Sequence, residues 1–104
     1  MSLDRLTKAI RIWAENRNLH TADPNKQMLK LMEEVGEIAA ALARGDIAKV
    51  KDGIGDTHIV LTILSEQLNL DIEECVAIAY DEIKDRKGKM VNGVFVKESD
   101  LLEI

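Results

Sequence analysis

Two long stretches of helical periodicity meet at the junction Gly45-Asp46, and no other feature restricts the fold as much. Glycine suits the end of one helix and aspartate caps the next. The first of these stretches opens at Asp23-Pro24, an N-cap followed by a residue suited to the first helical position. Met28, Leu31, Val35, Ile38 and Leu42 recur along it at helical spacing. The second, over about 47–69, carries Ile47, Val50, Ile54, Leu61 and Leu68. A helix over about 3–18 precedes them, with Leu3, Leu6, Ile10 and Trp13 as its stripe. Residues 18–23 read as a loop. A fourth helix opens with Asp71-Ile72-Glu73-Glu74, a capping-box pattern, and runs to about Lys87. Its core face is Ile72, Val76, Ala79 and Ile83. In the tail, about 89–104, Asn92-Gly93 sits between short apolar runs and signals a hairpin. The expected fold is all-α: a four-helix bundle-type subunit with a short C-terminal hairpin-like tail, in a single domain, 1–104.

Aromatic residues make up only 3% of the 104, so the core must come from Leu, Ile, Val, Ala and Met, which suits packed helices. A formal net charge of −5 argues against a nucleic-acid partner bound through a basic surface. No apolar run approaches the roughly 18–20 residues of a membrane span, so no membrane partner is expected. The start lacks a signal-peptide pattern. Cys75 is the lone cysteine and forms no intramolecular disulfide; a cytoplasmic protein with Cys75 as a buried small residue is the expectation.

The helices carry two groups of acids, Glu33-Glu34-Val35-Gly36-Glu37 and Asp52-Gly53-Ile54-Gly55-Asp56. Advancing about 100° per residue places Glu34 and Glu37 at the core boundary, with Glu34 nearest the core and Glu33 further round. Asp52 and Asp56 lie opposite the stripe of Ile54 and Leu61, on a side that continues as Ile59 and Ile63. That side is therefore buried at its far end. Carboxylates brought together at such a boundary repel one another and resist desolvation. A divalent cation relieves both problems, and Mg²⁺ or Mn²⁺ takes oxygen ligands from facing helices. No Glu-x-x-His and no Cys/His cluster occurs, which argues against di-iron and zinc. Glycines inside helices cost about 1 kcal/mol each against alanine. Gly36, Gly53 and Gly55 beside the acids point to close backbone approach or room for a ligand.

On these residues the chain resembles the MazG family of the all-α NTP pyrophosphatases. The family carries Glu-Glu-x-x-Glu on one helix and Glu-x-x-Asp on the next. Glu33, Glu34 and Glu37 match the first motif and Asp56 the last acid of the second; Gly53 stands where its glutamate belongs, with Asp52 as the substitute. The likeness runs from about Pro24 to Lys87 and includes the basic end of the fourth helix. The resemblance implies a nucleoside triphosphate substrate, (d)NTP, cleaved between the α and β phosphates to (d)NMP and pyrophosphate. It implies catalytic roles for Glu33, Glu34, Glu37 and Asp56, and Mg²⁺ (alternatively Mn²⁺) held by Glu34, Glu37, Asp52 and Asp56. Glu33 would bind a second ion or orient the attacking water. Lys84, Arg86, Lys87 and Lys30 would meet phosphate oxygens.

Trp13 is either core filler or a stacking surface for the base, and His20 either a loop residue or a base or phosphate contact. Gln27 and Asn92 could read a base edge. His58 is expected as a satisfied core or interface histidine. A third helix apolar on two sides has more to bury than a small monomer covers, so a homo-oligomer is expected; the family suggests a dimer or tetramer. Two alternatives stay open: a catalytically weak nucleotide- or metal-binding module, and a helical interaction module whose acids are merely solvated.

Overall fold

A computed structural model describes residues 1–101 of the chain. It forms two compact units, Met1–Ile72 and Glu73–Ile104. The described residues are mostly helical, with four helices of seven residues or more and one short hairpin, so the all-α expectation holds.

The first unit contains α1 (Leu3–Glu15), a 3-10 turn (Leu19–Thr21), α2 (Pro24–Ala43) and α3 (Ile47–Gln67). The caps act as read. The Asp23 side chain accepts from the Asn25 N–H at 2.9 Å with Pro24 at the first position, and Asp46 accepts from the Lys49 N–H at 3.2 Å. Gly45 takes φ +69°, which lets the Asp46 N–H reach Ala41 O at 2.9 Å and the Gly45 N–H reach Leu42 O at 3.1 Å. This paired closure ends α2 and starts α3 within three residues. Asn69 ends α3 similarly, at φ 57°. α1 is shorter than expected because Asn18, at φ 56°, turns the chain out of the helix.

α2 and α3 run antiparallel: Gln27 Nε2 donates to Val60 O at 3.1 Å near one end, while Ile38 lies on Gly53 nearer the other. α1 crosses α3 through Thr7 Oγ1 and His58 Nε2, 2.9 Å apart, and through Arg11 Nε with Glu66 Oε1 at 3.2 Å. The histidine is thus satisfied, as expected.

The buried face is only partly the one that hydropathy marks: Ile63 and Ile72 are buried as read, but most of the apolar stripes are not. Ala14, Ala41, Val60, Ile63 and Ile72 are buried with Thr7, Thr62 and Ser65, whereas Leu42 and Ile54 remain 64% and 60% exposed. Leu3, Leu6, Met28, Val35, Ile47, Leu61 and Leu68 are also exposed. The reason is the helix spacing. Small residues let axes approach, and a buried hydroxyl costs little when it bonds its own helix, as Thr62 does to His58 O at 2.8 Å and Ser65 to Leu61 O at 2.9 Å.

The second unit holds most of α4 (Ile72–Ile83), strands β1 (Gly88–Val91) and β2 (Val94–Lys97), and a helical turn, α5 (Glu98–Leu101). The strands pair antiparallel from Gly88–Lys97 to Val91–Val94 across Asn92 and Gly93, at φ 50° and 80°. These are the positive values that the two-residue hairpin turn requires. α4 stops four residues before Lys87, because the chain from Gly88 is already committed to the ladder. Val76, Ile83 and Cys75 on it are exposed, so the expected core face and the buried cysteine are corrected: within this unit the helix packs on neither strand. The last three residues of the tail, 102–104, lie outside the described residues.

Of the three glycines near the acids, only Gly53 meets a close approach: a Cβ there would fall 2.6 Å from Ile38 Cγ1, whereas Gly36 and Gly55 face open space. Gly53→Ala is therefore expected to destabilise the protein by about 1–3 kcal/mol through overpacking, despite its gain in helix propensity. Gly36→Ala and Gly55→Ala should instead stabilise by up to about 1 kcal/mol. Urea unfolding of the three variants checks the contrast in sign.

Candidate functional site

Glu33, Glu34 and Glu37 lie on α2 and Asp52 and Asp56 on α3, and the antiparallel pairing brings Glu34 near Asp56 and sets Glu37 and Asp52 on one cleft. Glu34 is 5% exposed. Its Oε1 lies 3.4 Å from Lys30 Nζ, while its Oε2 is buried without a hydrogen-bond partner among the described residues. An unpaired buried acceptor costs about 1–3 kcal/mol, more when charged. Glu33, further round the helix as read, is exposed and meets Lys30 Nζ at 3.6 Å. The hydrogen bond to Glu34, and then the charges of Glu34, Glu33 and Glu37, hold the Lys30 ammonium above its ordinary pKa.

Asp56 is half-buried. Desolvation is the main influence raising its pKa above the usual 3.8, followed by the neighbouring charges of Asp52 and Glu34. Asp56 thus feels one acid from its own helix, one turn away, and one from α2. This arrangement can attract a cation and hold it with carboxylate oxygens. Among the described residues, no three His, Cys, Asp or Glu side chains stand close enough to form a finished metal-holding group. Glu37 and Asp52 are exposed and keep rotamer freedom.

Beside the acids, between α2 and α3, lies an open cleft of about 480 Å³, lined by Glu37, Ala40, Arg44, Lys49, Asp52 and Gly53. Arg44 and Lys49 were missed in the sequence. The signal was there: Arg44 follows Glu37 by seven residues, two helical turns on the same face, and Lys49 precedes Asp52 by three.

The other candidates divide. Trp13 is not core: it is 46% exposed, carries the Arg17 guanidinium 4.2 Å from its ring centroid, and lines an apolar groove with Leu6, Ala9, Ile10 and Ile59. His20 sits in the 3-10 turn with Nδ1 buried and unpartnered. Gln27 is spent on Val60 O, and Asn92 on the hairpin turn. Lys84, Arg86 and Lys87 belong to the second unit and are exposed. Lys84 Nζ pairs with Asp81 at 3.1 Å, and Arg86 and Lys87 border a depression of mixed charge that includes Glu82, Asp85, Lys97 and Glu98.

The profile of the MazG nucleotide pyrophosphohydrolase domain matches residues 22–91. The chain belongs to the MazG family. The match covers α2, the acid site, α3, α4 and the first strand. A protein described as an uncharacterized 18.2 kDa protein of a rep-hol intergenic region, from Haemophilus phage HP1, is 44% identical over 70 residues. That stretch is 66% of this chain and 43% of the phage protein, so the similarity spans less than half of that relative. No solved structure matches. No helix among the described residues is long and apolar enough to cross a membrane.

Because the folded state raises the Asp56 pKa, ionising Asp56 is a folding penalty that appears as pH rises above about 3.8 and is fully present at neutral pH. Asp56→Asn is therefore expected to raise the melting temperature of the metal-free protein at pH 7, with the advantage shrinking as the solution is acidified. Thermal unfolding across pH 3–8 reads it.

Proposed function

We propose that this MazG-family protein is a nucleotide pyrophosphohydrolase that cleaves nucleoside triphosphates to the monophosphate and pyrophosphate with the help of Mg²⁺ or Mn²⁺. The observation that carries this reading is the buried Glu34 Oε2, without a hydrogen-bond partner among the described residues, close enough to Asp56 for its charge to raise that acid's pKa. An acid in that position needs a cation, and the donor set is all oxygen, the preference of Mg²⁺ and Mn²⁺. Glu34, Glu37, Asp52 and Asp56 would hold it, the exposed Glu37 and Asp52 turning inward to do so. Bound there, a divalent cation would offset phosphate charge and lower the pKa of an attacking water.

The chain supplies the rest. Arg44 and Lys49, on the cleft beside Glu37 and Asp52, bind phosphate oxygens, Arg44 by its bidentate fork. Glu33 accepts a proton from water or orients it. Trp13 offers a face to the base. Asp52 takes over from the motif glutamate, because Ile38 leaves no room for a side chain at position 53.

The exposed leucines, isoleucines and valines of α2 and α3 support a homo-oligomer, since burying each such side chain is worth about 1.5–3 kcal/mol. A cytoplasmic setting fits a lone, exposed cysteine.

Product analysis tests the activity. With Mg²⁺ and a panel of ribo- and deoxynucleoside triphosphates, the expected products are monophosphate and pyrophosphate, not diphosphate and phosphate. Glu37→Ala should lower the rate by about 100-fold, or about 2.7 kcal/mol of barrier. Arg44→Ala should mainly raise KM. Absence of turnover together with measurable Mg²⁺ binding would favour a binding module instead.

A further inference from the structure

Lys30 lies one helical turn before the acids of α2 and leans into them, its Nζ 3.4 Å from Glu34 Oε1 and 3.6 Å from Glu33 Oε2. Its side chain is half exposed and its stem is long, so it reaches the carboxylates without being locked there. It neutralises the group only in part. One ammonium pairs with Glu33 and Glu34 and feels the charge of Glu37, and it leaves Glu34 Oε2 buried and unserved among the described residues. A second cation placed against Glu34 and Asp56 would repel Lys30 at short range and serve the oxygen that Lys30 cannot reach.

We propose that Lys30 is the resident counter-ion of this acid cluster, displaced when a divalent cation binds and thereby released to meet the phosphates of the nucleotide. The proposal rests on the metal-binding reading above and adds an order to it: cation first, then an ammonium freed for the polyanion. The half-exposed stem allows the ammonium to swing outward without disturbing the buried Glu34 carboxyl or the helix that carries it. The same lysine therefore opposes the first binding step and favours the second.

The test uses the full chain without nucleotide. Mg²⁺, and separately Mn²⁺, is titrated by calorimetry into the wild type, Lys30→Met, Lys30→Gln and Lys30→Arg, with thermal unfolding of each metal-free protein alongside. Both charge-free variants are expected to melt at a lower temperature without metal. They should bind the cation about three- to tenfold more tightly than the wild type. Lys30→Arg should stay within about twofold of the wild type in affinity. With the cation saturating, Lys30→Met should bind pyrophosphate more weakly.

Equal or weaker cation affinity in both charge-free variants, with the wild type still binding, overturns the counter-ion role and leaves the metal reading standing. No binding of either cation by any of the four proteins overturns both. Unchanged pyrophosphate affinity in Lys30→Met removes the release step.

Discussion

The close approach of α2 to α3 is the constraint from which the rest of this structure follows. A glycine at position 53 admits Ile38, and Ala41 is buried further along α2, so small residues mark the contact between the two helices. Glu34 is carried into the interface by that approach, not by any preference of its own. The same contact leaves no room for a side chain at position 53, and the nearest acid on α3, Asp52, stands one residue earlier and exposed. One packing decision thus buries one carboxylate and leaves another exposed.

Electrostatic strain is the consequence. Lys30 pairs directly with Glu33 and Glu34, and Asp56, desolvated and near Asp52 and Glu34, holds its proton more firmly than a free aspartate. A folded protein tolerates such a cluster when the charge is used. Beside it, the cleft sets Arg44 and Lys49 next to Glu37 and Asp52, so cationic side chains stand close to the acids. This is how a protein of net charge −5 can present a surface to a polyanion.

Packing through small residues also leaves the large ones outside. Leu42, Ile47, Ile54 and Leu61 stand on the outer faces of α2 and α3, and Leu6, Ile10 and Trp13 edge an apolar groove on α1. These side chains leave apolar area that the chain itself does not cover. The stripes that periodicity singled out are real, but within one chain they are mostly not the core.

The sequence by itself determined the elements and their ends. Asp23-Pro24, Gly45-Asp46 and Asn92-Gly93 act through backbone hydrogen bonds and dihedral limits only a few residues long, so reading them needs no knowledge of the fold. It also determined the angular place of Glu34 at the core boundary and of Asp56 on the side that leads to Ile63, since both follow from the turn of one helix. Which face each helix buries was decided only in three dimensions, because the cost of burying Thr62 or Ser65 depends on hydrogen bonds to the preceding turn, and the gain from burying Leu42 depends on a neighbour being there. The same holds for Gly53, whose meaning is the distance to Ile38, and for Arg44 and Lys49, which became part of one cleft when the junction at Gly45 folded α3 back along α2.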